Sequence, residues 1–237
     1  MIRRLALLVT TALTIGCASL PPVAERGDVI RKIVASTVQL RSEREGVRRA
    51  ASGVVIASDS AARSTWILTT RHFLTGRESQ PVSVSRGASR AVAKVSVIGT
   101  DVDLAILEVV GVALPHVTLK DVAQLGDEVW VVAFPWGRRL TVVSGIVSQL
   151  ADDDGEPAVA GAPRMVDASV SYGSSGGGVF DAASGALIGI VEGYRTAQMT
   201  TKEQRALEIP VAGETTLISS HAIRAFLAST TVPRPPE

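Results

Sequence analysis

Residues 172–181 read YGSSGGGVFD. A serine set among glycines and followed by apolar residues describes a tight loop that presents one hydroxyl. Acyl-transfer chemistry calls for such a loop. A serine attacking a carbonyl creates an oxyanion, which needs backbone N–H donors about 2.7–3.1 Å away. Glycines let the main chain form that donor nest and keep Cβ atoms out of a substrate's path. Taken alone, the string fits a glycine-rich hairpin turn equally well. A base and an orienting acid elsewhere separate the two readings, and the chain offers both. Residues 67–73, ILTTRHF, are a β-like apolar run reaching His72. Residues 101–107, DVDLAIL, set an aspartate directly before a strand-like run. His72, Asp103 and Ser175 supply general base, orienter and nucleophile in the chain order His…Asp…Ser. Asp101 is the rival to Asp103, but the apolar run begins only after Asp103.

This ordered set resembles the trypsin-like serine proteases, most closely their Deg/HtrA branch. That branch carries its triad in LT-x-x-H, D-(I/L)-A-(I/V)-L and G-N-S-G-G. Here LTTRH stands at 68–72, DLAIL at 103–107 and GSSGG at 173–177. FPWG at 134–137 and TVVSGIVS at 141–148 resemble the family's NPFG…TVTSGIVS run, and VDAS at 166–169 its TDAAI. The colinear resemblance covers about residues 29–227.

It implies paired barrels with the site between them, and an acyl-enzyme mechanism with no metal or organic cofactor. His72 would take the Ser175 proton and return it to the leaving amine, Asp103 would fix the imidazole tautomer, and the N–H groups of Gly173 and Ser175 would form the oxyanion hole. The floor of the primary pocket, six residues before the nucleophile, falls on Ser169. A neutral floor implies cleavage after small uncharged residues. Ser174 replaces the aspartate of trypsin-type zymogens, so activation by a freshly cut N-terminus is not expected. Glu192 falls in the strand that pairs with substrate, where small polar residues are usual. Its carboxylate points away, perturbs Asp103 as a like charge, or marks a one-residue slip in the alignment.

Strands must position these groups. Hydrophobic residues make up 46% of the 237 and aromatics only 4%, so the core is mostly Val, Ile, Leu and Ala, which favours sheet. Short apolar runs at 36–40, 53–57, 66–69, 82–85, 91–98 and 104–110 form a first group of six strands. Past Leu114-Pro115, runs at 128–134, 141–150, 164–168, 178–181, 187–192 and 215–218 form a second. The expectation is an all-β protease domain over 28–228: two six-stranded antiparallel barrels, about 28–115 and 120–228, with a short C-terminal helix capped by Ser219. A short helix is expected at 27–35, and the tail, 229–237, is expected to be extended and disordered. No PDZ domain of the kind usual in the branch is expected after Leu227.

The N-terminus reads differently. Residues 1–16 combine a basic start with a short apolar stretch, as export signals do. The stretch is too short to span a hydrocarbon core of about 30 Å. LTIGC at 13–17 resembles a bacterial lipobox, which implies a lipoprotein: Cys17, the single cysteine, would carry diacylglycerol and an N-acyl chain such as palmitate. An ordinary secretory signal is the alternative. Residues 17–27 would tether the enzyme close to the membrane, and Ala18 implies outer-membrane sorting with the protein facing the periplasm.

A net charge of +1 gives no argument for nucleic acid. The expected partners are protein or peptide substrates and the membrane, the latter through the lipid anchor. His116 and His221 lack neighbours at metal-ligand spacing and read as structural or exposed. Asp152, Asp153 and Asp154 lack EF-hand spacing and read as a solvated loop, and Arg71 reads as a surface charge. Two rivals stand beside the peptidase: a protease fold that grips peptide without cutting, and an esterase. The complete triad argues against the first, and the strand-rich pattern and triad order against the second.

Overall fold

The computed structural model describes residues 26–151, 159–200 and 206–235. The segment expected to be an export signal, Cys17, most of the expected tether, Asp152 to Asp154 and the last two residues of the tail lie outside the described residues. Helix α1 (Arg26–Ala35) leads into β1 (Thr37–Arg44), β2 (Val47–Asp59), β3 (Ser64–Thr69), β4 (Val82–Arg86), β5 (Ser89–Ile98) and β6 (Ala105–Val110), with a single turn, α2 (Arg71–Leu74), after β3. A connection carrying β7 (Ala123–Gln124) leads to β8 (Glu128–Ala133), a 3-10 turn (Pro135–Gly137), β9 (Thr141–Leu150), β10 (Ala160–Gly161) and β11 (Pro163–Asp167). Then come β12 (Gly178–Asp181), β13 (Leu187–Thr200), β14 (Ala206–Ser219) and α3 (Ser220–Ala228).

Each set of six closes into an antiparallel barrel, as expected. The order around the first is β1-β2-β3-β6-β5-β4, and around the second β8-β9-β11-β14-β13-β12. Counted from its own first strand, each barrel follows the same order, so one topology is used twice.

Burial explains the continuous apolar runs. Along β6, Ala105, Leu107 and Val109 fill the first barrel, while Leu104, just before it, and Ile106 face a shared core between the barrels. Along β8, Val129 and Val131 fill the second barrel, while Trp130 and Val132 enter the shared core. Strands buried on both faces have no polar side to alternate with. Helices α1 and α3 close the shared core with Val29, Ile33, Ile223, Phe226 and Leu227 around the fully buried Phe180. Ser219 caps α3 by accepting from the Ala222 N–H at 3.3 Å.

Three regions differ from the sequence expectation. Strands β13 and β14 run on as a long ribbon, pairing out to Thr200↔Ala206. Side chains 195–200 are exposed there, so no apolar alternation announced the extension. Strand β2 likewise runs outward to Val47, through a two-residue turn at Glu45 and Gly46 with φ of 51° and 77°, the hairpin geometry that matches strand twist. In the described part of the tail, Val232 is buried in the shared core, an apolar anchor within a proline-rich stretch.

Candidate active site

Strand register brings His72 and Asp103, the expected base and acid, together. Antiparallel β3 and β6 pair with Thr69 opposite Ala105. His72 follows the end of β3 on α2, and Asp103 precedes the start of β6, so both emerge at one end of the barrel. The Asp103 carboxylate accepts the His72 main-chain N–H at 2.8 Å through Oδ1 and meets the ring Nδ1 at 2.6 Å through Oδ2. With Nδ1 carrying the proton toward Asp103, the lone pair of Nε2 is left for chemistry. Burial pushes the Asp103 carboxyl up, but the two bonds from His72 and the charges of His72 and Arg71 outweigh it and hold the group below the usual aspartate range. Glu192 is not among the groups that perturb Asp103.

Arg71 is more than a surface charge. Its Nη1 donates to the carbonyls of Gly99 (2.9 Å) and Thr100 (2.7 Å), pinning the loop that carries Asp103. Its Nε lies 3.9 Å from Asp103 Oδ1. Only its position beside the base could have signalled this in the sequence. Asp101 is exposed and accepts from the Thr100 hydroxyl, away from His72.

Ser175 arrives on the loop before β12, latched to the first barrel by a residue that sequence reasoning missed. Ser52, fully buried on β2, donates its main-chain N–H to Ser175 O at 2.9 Å. Its hydroxyl donates to Gly173 O at 2.9 Å and accepts the Phe134 N–H at 2.8 Å, while Thr69 Oγ1 donates to Ser52 O at 2.9 Å. A lone polar residue inside the apolar β2 run was the signal available. Gly176 fits only as glycine: its φ is +80°, and a Cβ would lie 2.2 Å from Ser52 O.

The Gly173 and Ser175 N–H groups have no acceptor among the described residues. Tyr172 O is held by the Trp136 N–H at 2.6 Å, which turns the Gly173 N–H the opposite way across the same planar peptide. Two unclaimed donors beside a serine hydroxyl are what an oxyanion requires. Ser175 Oγ donates to Glu192 O at 3.3 Å, and His72 Nε2 faces Thr70 Oγ1 at 3.5 Å; Ser175 and His72 are not hydrogen-bonded to each other.

His72, Gly173 and Ser175 line an open cleft of about 640 Å³. Val170, Ser171, Val191, Glu192 and Gly193 line it as well. Ser169, expected at the pocket floor, does not. It is exposed and lines a separate depression with Asp167 and Ala168, because the chain after β11 turns Val170 and Ser171 toward the cleft instead. Glu192 is exposed and borders the cleft, with its carbonyl rather than its carboxylate meeting Ser175. His116 is exposed beside Ser58, 3.2 Å away, and His221 is exposed on α3; neither lines the cleft. Ser174 is buried, its hydroxyl accepting from the Ser171 N–H at 3.4 Å.

A family model for the trypsin-like peptidase domain matches residues 51–190. A DegP-like periplasmic serine endoprotease of Halomonas elongata is 32% identical over 151 residues, 60% of this chain and 29% of that protein. The chain thus spans under a third of the length of the curated relative it matches. Among solved structures, the active form of the Rv3671c protease from M. tuberculosis is similar with a TM-score of 0.67 at 22% identity, covering 99% of this chain and 97% of the other. The serine endoprotease from Yersinia pestis gives 0.66 at 20% identity, covering 88% of this chain and 66% of that one. At these identities the structural likeness is one of fold.

Proposed function

The chain belongs to the trypsin-like peptidase family, and from that premise we propose that it is a serine endopeptidase of the bacterial envelope, anchored to a membrane through a lipid on Cys17. The observation that carries the reading is one cleft holding a carboxylate-bound histidine, a serine and two N–H donors without acceptors.

In this reading Ser175 Oγ attacks the scissile carbonyl carbon while His72 Nε2 takes its proton. The oxyanion settles against the N–H groups of Gly173 and Ser175. The C–N bond then breaks as His72 returns the proton to the leaving amine, and water, deprotonated by His72, hydrolyses the acyl ester. Proton transfer of this kind contributes about 10²–10⁴-fold, and loss of one oxyanion donor about 10²–10³-fold. The step needs the Ser175 hydroxyl to turn from Glu192 O toward His72. Val170, half-buried on the cleft wall, supports a preference for small uncharged side chains before the scissile bond. The envelope assignment is supported by the likeness to a periplasmic relative and by the LTIGC junction; sorting to the outer membrane rests on Ala18 alone.

Fluorophosphonate labelling and casein cleavage test the reading together. Wild type should label and cut, while Ser175→Ala and His72→Ala should do neither. Undiminished casein cleavage by Ser175→Ala would sink the serine mechanism. The Ser175–Glu192 hydrogen bond favours a second reading, a peptide-gripping fold that does not cut. Folded wild type that binds casein but neither labels nor cleaves would establish that alternative.

A further inference from the structure

The net charge of +1 conceals a strongly polarised surface. Beside the catalytic cleft runs a groove lined by Arg41, Arg48, Arg49 and Arg138, with Trp136 and Tyr172 at its rim. Beyond Arg41 and Arg138 it passes into a second basin lined by Arg86, Arg90 and Arg139. Glu43 is the single carboxylate among the lining residues of both, and it pairs with Arg48 at 2.8 Å. The other six arginines meet no carboxylate among the described residues. Arg41 and Arg86 are oriented by the carbonyls of Gly137 and Ala35, which leave their positive charge uncompensated.

The groove is continuous with the cleft. Arg49, Ala50 and Tyr172 line both. The continuation takes in Arg48, Arg49 and Ala50 of β2 and none of residues 191–194 of β13, which line the cleft alone. Gly193 and Tyr194 pair only with β14, Glu192 falls at a bulge between Val191 and Gly193, and β12 ends its pairing at Ile190, so one edge there is open for a substrate strand. A polypeptide whose acyl-side segment lies along that edge continues past Ser175 toward Arg49 and the groove. Trp136 points the same way. It is 64% exposed, sits in the left-handed region at φ 56°, and its ring lies 5.7 Å from that of Tyr172. An unfavourable backbone conformation that presents an aromatic to solvent fits a binding surface better than a packing role.

We propose that this groove is a subsite for acidic polypeptide: the substrate segment that follows the scissile bond docks with Asp and Glu side chains on Arg41, Arg49 and Arg138 and an apolar side chain against Trp136 and Tyr172. The inference rests on the peptidase reading above for the identity of the occupant. Carboxylates match guanidinium geometry in two-point contacts. Several such partly exposed pairs, each modest, amount to a preference of about tenfold.

Two measurements on the full chain test it. Internally quenched peptides share one acyl-side sequence and carry either Asp/Glu or Asn/Gln at the second to fifth positions after the cut. Wild type should process the acidic peptide with a kcat/KM about tenfold higher, and the ratio should shrink as salt is raised. Arg138→Gln, at a residue whose side chain makes no hydrogen bond among the described residues, and Arg41→Gln should each lower the ratio, and Arg138→Glu should lower it further. In parallel, fluorescence polarisation of the labelled acidic segment on Ser175→Ala reports binding without turnover. Acidic binding lost in Arg138→Gln, with neither peptide cut by wild type, would retain the groove and overturn the peptidase reading. Equal cleavage and equal binding of the two peptides would overturn the groove and leave the peptidase intact. Sedimentation with anionic vesicles that needs the same arginines, without any peptide preference, would also overturn it and reassign the face to a membrane.

Discussion

Ser175 Oγ hydrogen-bonds to the main-chain carbonyl of Glu192 at 3.3 Å, at the open edge of β13. The proposed nucleophile therefore sits on the edge proposed to receive substrate backbone. A strand docking there competes for the edge and favours rotation of the hydroxyl toward His72. Ser175→Ala should fold normally, with an unchanged melting temperature, and should lower kcat/KM at least ~10⁴-fold. Residual turnover within tenfold of wild type would remove Ser175 from the mechanism.

Glu192 borders the cleft with an exposed side chain, while half-buried Val170 supplies apolar wall. A cationic side chain entering there would lose water without a buried counter-charge. Cleavage sites in a denatured protein mixture should cluster after Val, Ala, Ile or other small uncharged residues. A majority of cuts after Lys or Arg, abolished by Glu192→Gln, would make Glu192 the specificity residue instead.

Ser52 joins Gly173 O and the Phe134 N–H with one hydroxyl. Ser52→Ala leaves both groups unpaired in a buried position, at a cost of about 1–3 kcal/mol, or roughly 2–4 °C in Tm per kcal/mol. The Gly173 peptide then loses its anchor, so kcat should fall about tenfold or more with little change in KM. Thermal melts and steady-state kinetics together check this. A stability loss with kcat intact would reduce Ser52 to a packing residue.

Two aspartates link stability to acid. Burial pushes Asp181 up, but bonds from Lys120, at 2.5 Å, and from Ser184 outweigh it and hold it low; Asp103 is held low by His72 and Arg71. A depressed folded pKa gives stability that is complete above the ordinary value of 3.8 and lost as pH falls through the lower folded value. Lys120, raised above 10.5 chiefly by Asp181, contributes stability below that value that is lost as pH climbs through the raised one. Tm should hold level through neutral pH and drop below about pH 4. Asp181→Asn should lower Tm at pH 7 and flatten the acid fall, and an unaltered acid profile would refute the linkage.

Cys17 is the single cysteine of the chain and closes the LTIGC junction. Expression of the full precursor with a fatty-acid analogue should label wild type and leave Cys17→Ala unlabelled and released from membranes. Equal incorporation would rule out Cys17 as the anchor.

The sequence by itself determined the barrel strands and the three chemical residue types, because both rest on local rules. Apolar runs buried on two faces, as in residues 104–109, remain visible as runs, and a serine that must sit in a tight nest leaves its glycines in the string. The outer half of β13 was illegible because residues 195–200 are exposed, and backbone pairing with β14 sets no constraint on the polarity of exposed side chains. Only the tertiary structure decided what depends on where side chains point across long separations. It turned Val170 toward the cleft and Ser169 away, showed Arg71 clamping the Asp103 loop, and set Ser52 against a loop 121 residues along the chain. It also gathered arginines 41, 49, 86, 90, 138 and 139 from both barrels onto one face. A net charge of +1 sums over the whole surface, and direction enters only when the barrels close against each other.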